Sequence, residues 1–547
     1  MTICDAKYFP IVREYQEKMT VSEIVDKALN CKMDHSPGRV VMGMVANILS
    51  CRSPLYRVQD FFEGKDIATL VGANIPISAF CDDNLGRILD RIFDYGSQKL
   101  FSEISIASLR SFSVPTKNVH VDTTSVSVWG RYKRSKGQKG PTVCFGHSKD
   151  NQPDLKQIMI SLVSVDKNIP MIGQVEDGNA SDKTIHTQCL QKVSNYMSSH
   201  GLPADYIYVG DCALVAPDNL AILGGMETEN NQAFVSRLPE TYSECDRVQK
   251  EAIKINQWQE IGKLSEDAAD RPAATYKSYE ATVRIDDKLF RTVVLHSNVL
   301  DQLKQKSINR RIQKERESLE KRIKKAQKKI FHCSADAVEY AKDIKGQYYT
   351  VQWNVSEKPI FQRGRVKMGQ PRKISRTEYS LNGILSENSS VIDIAREQAG
   401  CFVLITNICT EKKSAKELLQ IYKEQHGIEQ NFGFLKDPLI VNDLFLKIPG
   451  RIEALGCVLL IALLVWRLME RQMRQQIQML NTTVTGWNNC PTKKPTSFMM
   501  TTKFTSVYYI IDPMGHSQLA QPLNAVQQEY LRLLGISQSD FLRVNCA

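Results

Sequence analysis

The sequence predicts an α/β protein built around a mixed sheet, and three observations carry that expectation. Residues 1 to 110 have helical periodicity, residues 111 to 240 alternate β-branched strands with amphipathic helices, and a module with its own strands and a strongly basic helix interrupts the second half of the chain. At 547 residues, 42% of them hydrophobic, the chain is long enough to bury more than one core.

In the first region Ser36-Pro37-Gly38 precedes "RVVMGMVANILSC", where the serine can cap a helix and the proline suits its first turn. "DDNLGRILDRIFDYGSQKLFSEIS" opens with acids that favour a helix N-terminus. With the basic end "CRSPLYR" these helices suit a DNA-binding unit or a scaffold, and no helix-turn-helix signature decides between them. Periodicity then changes. "NVHVDTTSVSVWG" (118–130), "LKQIMISLVSV" (155–165) and "IPMIGQVE" (169–176) read as three consecutive strands. "KTIHTQCLQKVSNYMSSH" is a helix, "DYIYVGD" (205–211) a short buried strand, "NLAILGGM" a helix and "QAFVSRL" a strand. The order βββαβαβ is a ribonuclease-H-like pattern of a mixed sheet covered by helices, not that of a doubly wound nucleotide binder.

Further along, "SYEATVRIDDKLFRTVVLHS" predicts a hairpin turning at Asp286-Asp287-Lys288, and "QYYTVQWNV" extended structure beyond the basic helix. "CFVLITN" (401–407) is one more strand, with long helices after it, and "NTTVTGWNNCPTKKPT" reads as a flexible linker. The expected organisation is therefore a helical N-terminal region (1–110), a ribonuclease-H-like core in two parts (111–240 and 401–480), an inserted β-plus-helix module (241–400), and a C-terminal linker and tail (481–547).

Composition excludes several classes. Mean hydropathy is −0.30, and the longest apolar run, Cys457 to Trp466, is too short to span a bilayer and is closed by Arg467, which predicts a buried helix and no membrane partner. The first residues lack the pattern of a secretory signal, and fourteen cysteines without a C-x-x-C pair predict reduced thiols in a cytoplasmic protein. Nine dispersed histidines without a Cys/His cluster argue against structural zinc, with His147 and His426 the two that stay open as site residues. The formal charge is +11, and Lys304 to Lys329 holds twelve Lys/Arg against Glu315, Glu317 and Glu320. Leu303, Ile308, Ile312, Leu319, Ile323 and Ile330 give the same segment one packed stripe. A polyanion is the natural partner of the other face, with Arg310, Arg311, Lys314, Lys321 and Arg322 as candidate DNA contacts.

The chemistry-bearing stretch is "IYKEQHGIEQNFGFLKDP" (421–438), with Tyr422, Glu429 and Lys436 at intervals of seven and Gln425 between the first two. On one helix these side chains stack along a single face, apart from an apolar stripe of Leu419, Ile421, Ile428 and Leu435. Three residues in register also fit a plain solvated face, so more carboxylates are needed. Asp122 in "VHVDTT" and Asp211 in "YIYVGD" supply them, each ending a strand at the rim of the sheet, where a helix bearing Glu429 can meet both. Three such acids repel one another without cations, and two Mg²⁺ (or Mn²⁺) ions about 4 Å apart would satisfy them. Asp177 reads as a turn residue and Asp182 as a helix cap, Asp154 stays available, and Trp129 and Trp353 read as core more readily than as base-stacking groups.

These residues resemble the DDE transposases of bacterial insertion sequences, in the insertion-sequence-four superfamily and its sixteen-thirty-four branch. The family's last catalytic helix carries Y-(2)-R-(3)-E-(6)-K, and Tyr422, Gln425, Glu429 and Lys436 stand at those places, with Gln425 replacing the arginine. "GHSKDNQPDLKQ" and "DGNASD" are also similar to the family's stretches between its two aspartates, and the resemblance covers about residues 115 to 470. It implies that Asp122, Asp211 and Glu429 bind two divalent metal ions, that Tyr422 and Lys436 contact phosphates, and that the insertion helps to hold element ends. Gln425 can donate a hydrogen bond but lacks the guanidinium fork. The implied activity is cleavage at insertion-sequence ends and joining of the 3′-hydroxyl to target DNA, by a homodimer on double-stranded DNA with terminal inverted repeats, in the bacterial cytoplasm at the nucleoid. A metal-dependent nuclease without strand transfer and an inactive DNA-binding relic are the alternatives.

Overall fold

The β-branched runs form strands and the amphipathic segments pack over them. A computed structural model describes residues 2–30, 32–50, 53–133, 137–229, 231–265, 272–364, 369, 371–436, 446–512 and 517–542. The chain divides into two compact units, one of Met1–Ser236, Thr406–Ile408 and Glu417–Ala547, the other of Arg237–Ile405 and Cys409–Lys416.

The first unit begins with a strand that the helical reading did not foresee, β1 (Thr2–Asp5), followed by helices. Ser36 caps the helix Pro37–Ile48 by accepting the Arg39 N–H. Gly96, at φ 105°, splits the acid-led segment into Asp82–Tyr95 and Ser97–Ser111. Five strands then build a mixed sheet: β2 (Asn118–Val128), β3 (Lys156–Val165), β4 (Ile169–Glu176), β5 (Ile207–Gly210) and β6 (Phe234–Arg237). Their order is β4-β3-β2-β5-β6, with β2, β3 and β4 antiparallel in turn, β5 parallel to β2 and β6 parallel to β5. The helix Asp182–Ser199 packs on β2, as does His426–Leu435, while Ser97–Ser111 lies on β4.

The apolar run is the middle of a helix far longer than the run itself, Pro449–Leu480. By length and composition that helix could cross a bilayer, contrary to the sequence reading, but 89% of its apolar window is buried inside the protein. It packs on β4 at close range, and a Cβ added to Gly456 would stand 2.4 Å from Val175 Cγ2. Arg467, which closes the run, is buried with Glu470: its Nη1 lies 2.7 Å from Glu470 Oε2 and its Nε donates to Asn431 Oδ1 at 2.7 Å. Asn431 in turn donates to Ser164 Oγ and the Asn168 carbonyl.

The expected linker and tail are folded against this unit. Val484–Thr485 pairs with Pro491–Thr492, Tyr508–Ile511 pairs with β1, and Ala525–Leu534 packs on the long helix. The polar composition of the segment concealed its buried anchors: Tyr509 donates to the Phe541 carbonyl at 2.6 Å and Tyr530 to that of Thr485 at 2.9 Å.

In the second unit β7 (Gln259–Lys263), β8 (Thr275–Ile285) and β9 (Lys288–Ser297) are antiparallel neighbours. Asp286 and Asp287, at φ 47° and 62°, make the predicted turn between the last two. The basic helix spans Asn298–Gln327, capped by Ser297. Its buried stripe is Ile308, Leu319, Ile323 and Ala326, whereas Leu303 and Ile330 are 61% and 57% exposed, so the stripe is shorter than the periodicity suggested. β10 (Tyr349–Phe361) and β11 (Ile374–Glu387) form a long hairpin whose inner end, with Tyr349 and Leu381, shares a core with Leu319 and Ala326. β12 (Cys401–Thr406) follows and is buried throughout.

Removing one member of a buried ion pair leaves the other uncompensated, so Glu470→Ala should destabilise the protein by about 3–5 kcal/mol. Asp90→Ala, which strips a half-exposed partner from Arg451, should cost about 1 kcal/mol or less. Thermal melting of the two variants checks the ranking, and equal losses would refute it.

Candidate active site

Parallel pairing of β2 with β5 puts Val121 opposite Gly210, so the next residues along, Asp122 and Asp211, emerge side by side. The Thr123 N–H donates to Asp122 Oδ1 at 2.7 Å and the Ala213 N–H to Asp211 Oδ1 at 3.0 Å, each the turn-like bond of a short acid to nearby backbone. His186 Nε2 lies 3.2 Å from Asp211 Oδ1. A third acid closes the group from the helix Asp182–Ser199: Asp182 Oδ1 accepts the Thr123 hydroxyl at 2.6 Å.

The cation among these acids is Lys149. Its Nζ stands 3.3 Å from Asp182 Oδ2 and 3.9 Å from Asp122 Oδ1, and donates to the Thr123 carbonyl at 2.8 Å and hydroxyl at 2.7 Å. Burial raises the Asp122 carboxyl to about 6; the Asp211 charge adds to that, while Lys149 and the Thr123 N–H oppose it. At Asp211 burial also pushes upward, but the hydrogen bond and charge of His186, with the Ala213 N–H and Lys149, outweigh it and hold the carboxyl below its ordinary value. The two aspartates therefore titrate apart: at neutral pH both are ionised, Asp122 at a cost in desolvation.

Glu429 is not brought to this pair. Its side chain is 66% exposed and its Oε2 lies 2.9 Å from His426 Nδ1. The expected single helix is two, Ala415–Lys423 and His426–Leu435. Between them the N–H groups of Gln425, Gly427 and Ile428 each bond three residues back, to Tyr422, Glu424 and Gln425. Such tightening turns the chain by about 120° per residue instead of 100°, and the row leaves its line. Tyr422 is half-buried on the first helix, and Gln425 is buried at the break with its Oε1 unpartnered among the described residues. Lys436 ends the second helix 2.6 Å from Asp150 Oδ1. The acid of this stretch that touches β2 is Glu424: Asn118 Nδ2 donates to it at 3.1 Å and His120 Nε2 lies 3.7 Å away. Among the described residues no three His, Cys, Asp or Glu side chains stand close enough to share a metal ion.

Of the remaining candidates, Asp177 opens a turn, as expected, its carbonyl accepting the Ala180 N–H at 3.0 Å while its side chain accepts the distant Thr142 N–H, and Asp154 is exposed. Asp182 is not the helix cap: Ser181 precedes the helix and Asp182 faces Thr123 and Lys149. Arg310, Arg311, Lys314, Lys321 and Arg322 are exposed on the basic helix, Arg322 donating to the Asp343 carbonyl at 2.6 Å. Lys149, Asp182, His186 and Thr123 were missed as site residues. A signal existed for His186, which lies four residues after Asp182 and hence on the same helix face; Lys149 lies inside the stretch "GHSKDNQPDLKQ", but nothing in that stretch singled it out.

Residues 1–106 match a family model described as a domain of unknown function, DUF4277, which leaves both aspartates outside the match. No curated protein matches the chain. It is similar to two solved structures: a piggyBac transposase synaptic complex with hairpin DNA, 12% identical over 54% of this chain and 60% of that one with a TM-score of 0.25, and a Mos1 transposase paired-end complex with the left transposon end, 10% identical over 31% of this chain and 55% of that one with a TM-score of 0.14. The chain thus spans three-fifths of the first structure's length or less, and at these scores the likeness decides neither fold nor site.

Because the folded pKa of Asp122 lies above its ordinary value, the native state keeps a proton that the unfolded chain has lost between about pH 4 and 6. Its contribution to stability therefore falls as pH rises through that window and is flat above it. Asp122→Asn should raise stability at pH 8 by up to about 3 kcal/mol and leave it nearly unchanged at pH 3. Denaturant unfolding at the two pH values checks this, and an equal shift at both would refute it. Lys149→Met should move the Asp122 titration further up, as read by carboxyl NMR.

Proposed function

We propose that the chain is a DNA transposase of the DDE type, working on a ribonuclease-H-like core. The observation that carries the reading is the pair Asp122 and Asp211 on adjacent parallel strands, desolvated and mutually repelling, with a single lysine set among the acids. Support for the core comes from three antiparallel strands followed by two parallel ones beside the first, in the order β4-β3-β2-β5-β6. The spacing of Tyr422, Gln425, Glu429 and Lys436 supplies the family likeness.

The donor set fits divalent metal in part. Asp122 and Asp211 would hold Mg²⁺ or Mn²⁺ ions, and Glu429 would complete the set only after its helix shifts, since it now pairs with His426. Bound there, the ions would supply an activated water and neutralise charge at the phosphodiester. The chain's own residues do the positioning. Lys149 would leave the carboxylates for a phosphate oxygen, and Lys436, held by Asp150 beside Lys149, would contact the strand near the scissile bond. Cleavage frees a 3′-hydroxyl, which attacks target DNA at the same site, and cutting paired ends calls for two copies of the chain on the DNA.

The rival reading is an inactive DNA-binding relic. Glu429 lies outside the acid group and Gln425 is buried, which favours it. A nuclease without strand transfer differs only in failing to join cut ends.

Asp122→Asn, Asp211→Asn and Glu429→Gln should each lower Mg²⁺-dependent cutting of a plasmid carrying the gene with its flanking DNA by roughly 100-fold or more, with DNA binding retained. Loss in both Asp variants with full activity in Glu429→Gln would remove Glu429 from the site. No cutting by the unaltered protein would leave the relic.

A further inference from the structure

The hairpin β10–β11 is much longer than its core needs. Its thirteen- and fourteen-residue strands pair from Tyr349 opposite Glu387 out to Ile360 opposite Arg376, and the Gln362 N–H still bonds the Lys373 carbonyl beyond that. At about 3.4 Å per residue the ribbon is about 40 Å long. Its inner half alternates as a packed strand should, with Val351, Trp353 and Val355 turned to the core that holds Leu381. From Ser356 outward the alternation stops, and β10 is exposed at every residue but Ile360.

The outer half is also the most lopsided stretch of charge in the chain after the basic helix. From Lys358 to Arg376 there are seven Lys/Arg and no Asp or Glu. Arg376 is paired with Glu378 at 2.6 Å, but Lys358, Arg363, Arg372 and Lys373 make no ion pair with a described residue. A solvated edge guarded against aggregation needs charge, yet not charge of one sign. Phe361 and Ile374, paired across the ribbon, are 44% and 56% exposed amid these cations. A projecting two-stranded ribbon with a cationic end has the width that the major groove of duplex DNA admits, and its cations would meet the phosphates on either side.

We propose that the outer half of this hairpin is a second DNA-binding element, docking in a groove of duplex DNA through Lys358, Arg363, Arg372 and Lys373, with Phe361 and Ile374 against the sugar and base edges. It rests on the reading that DNA is the substrate and adds a contact distinct from the aspartates and from the basic helix.

The test compares the full-length protein with the variant Arg363→Ala/Arg372→Ala/Lys373→Ala on a 30-bp duplex, by fluorescence anisotropy across a salt series, with melting temperature as the folding check. Three lost phosphate contacts should reduce the slope of log K against log salt by about 2 to 3, and raise Kd about 10-fold or more at low salt. Phe361→Ser should weaken binding without changing the slope. An unchanged slope and Kd in a folded triple variant would overturn the proposal, as would loss of binding to anionic lipid vesicles with duplex binding intact. The transposase reading fails separately, if the unaltered protein never cuts DNA although the triple variant has lost affinity for it.

Discussion

Two half-buried carboxylates side by side, Asp122 in the middle of β2 and Asp211 just past the end of the parallel β5, cannot both be charged without cost unless positive charge is brought to them. That constraint organises the first unit. The β2–β5 register creates the pair, and the Thr123 and Ala213 N–H groups are the nearest donors. Lys149 brings positive charge from a loop and His186 a hydrogen-bond contact from a helix, both of which the chain reaches before β5. The helix Asp182–Ser199 then answers Lys149 with an acid of its own, so the loop is held from two sides.

What positions the helix His426–Leu435 is a different kind of interaction. Asn431 is fully buried and ties the helix His426–Leu435 to Ser164 on β3 and to Arg467 on the long apolar helix, where Glu470 and the Ser497 N–H complete the chain of bonds. Gly427 lets the helix start close to the β3–β4 turn, since a Cβ there would stand 2.4 Å from the Lys167 carbonyl oxygen. Every one of these groups has a partner, which is the condition under which a buried polar network fixes a geometry instead of loosening it. The apolar helix is thus a core element, and its one buried charge pair serves its neighbour.

Local pattern made most of the first unit's elements legible. β2, β3 and β4 are β-branched runs bounded by turn residues, and their limits were readable to within a residue or two because both pattern and punctuation agree there. The two aspartates were legible for the same reason, as acids ending apolar runs. The break at Glu424–Gln425 was not, because no proline or repeated glycine marks it; it follows from docking Ile428 and Asn431 under the sheet. The stretch that holds Lys149 stood out by its family likeness, but the lysine itself did not, since a lysine in a polar loop declares its partners only when distant strands converge. The tail misled by composition, where scattered Tyr509, Tyr530 and Phe541 outweigh many threonines.

One loop joins the two halves of the candidate site. Lys149 lies on the carboxylates, while its neighbour Asp150 holds Lys436 at the end of the helix His426–Leu435. Lys149 and Asp150 are the middle residues of a turn closed by the Asn151 N–H on the Ser148 carbonyl, so the same short backbone segment carries both contacts. A change of charge at Asp122 and Asp182 therefore acts on Lys149 first and, through the shared peptide, on Lys436. Such coupling needs no long pathway, because the two ion pairs are one residue apart and the helix they restrain is otherwise fixed at its middle by Asn431. Glu429 precedes both restraints, at the helix start and on an exposed face, where its Oε2 pairs with His426 alone among the described residues.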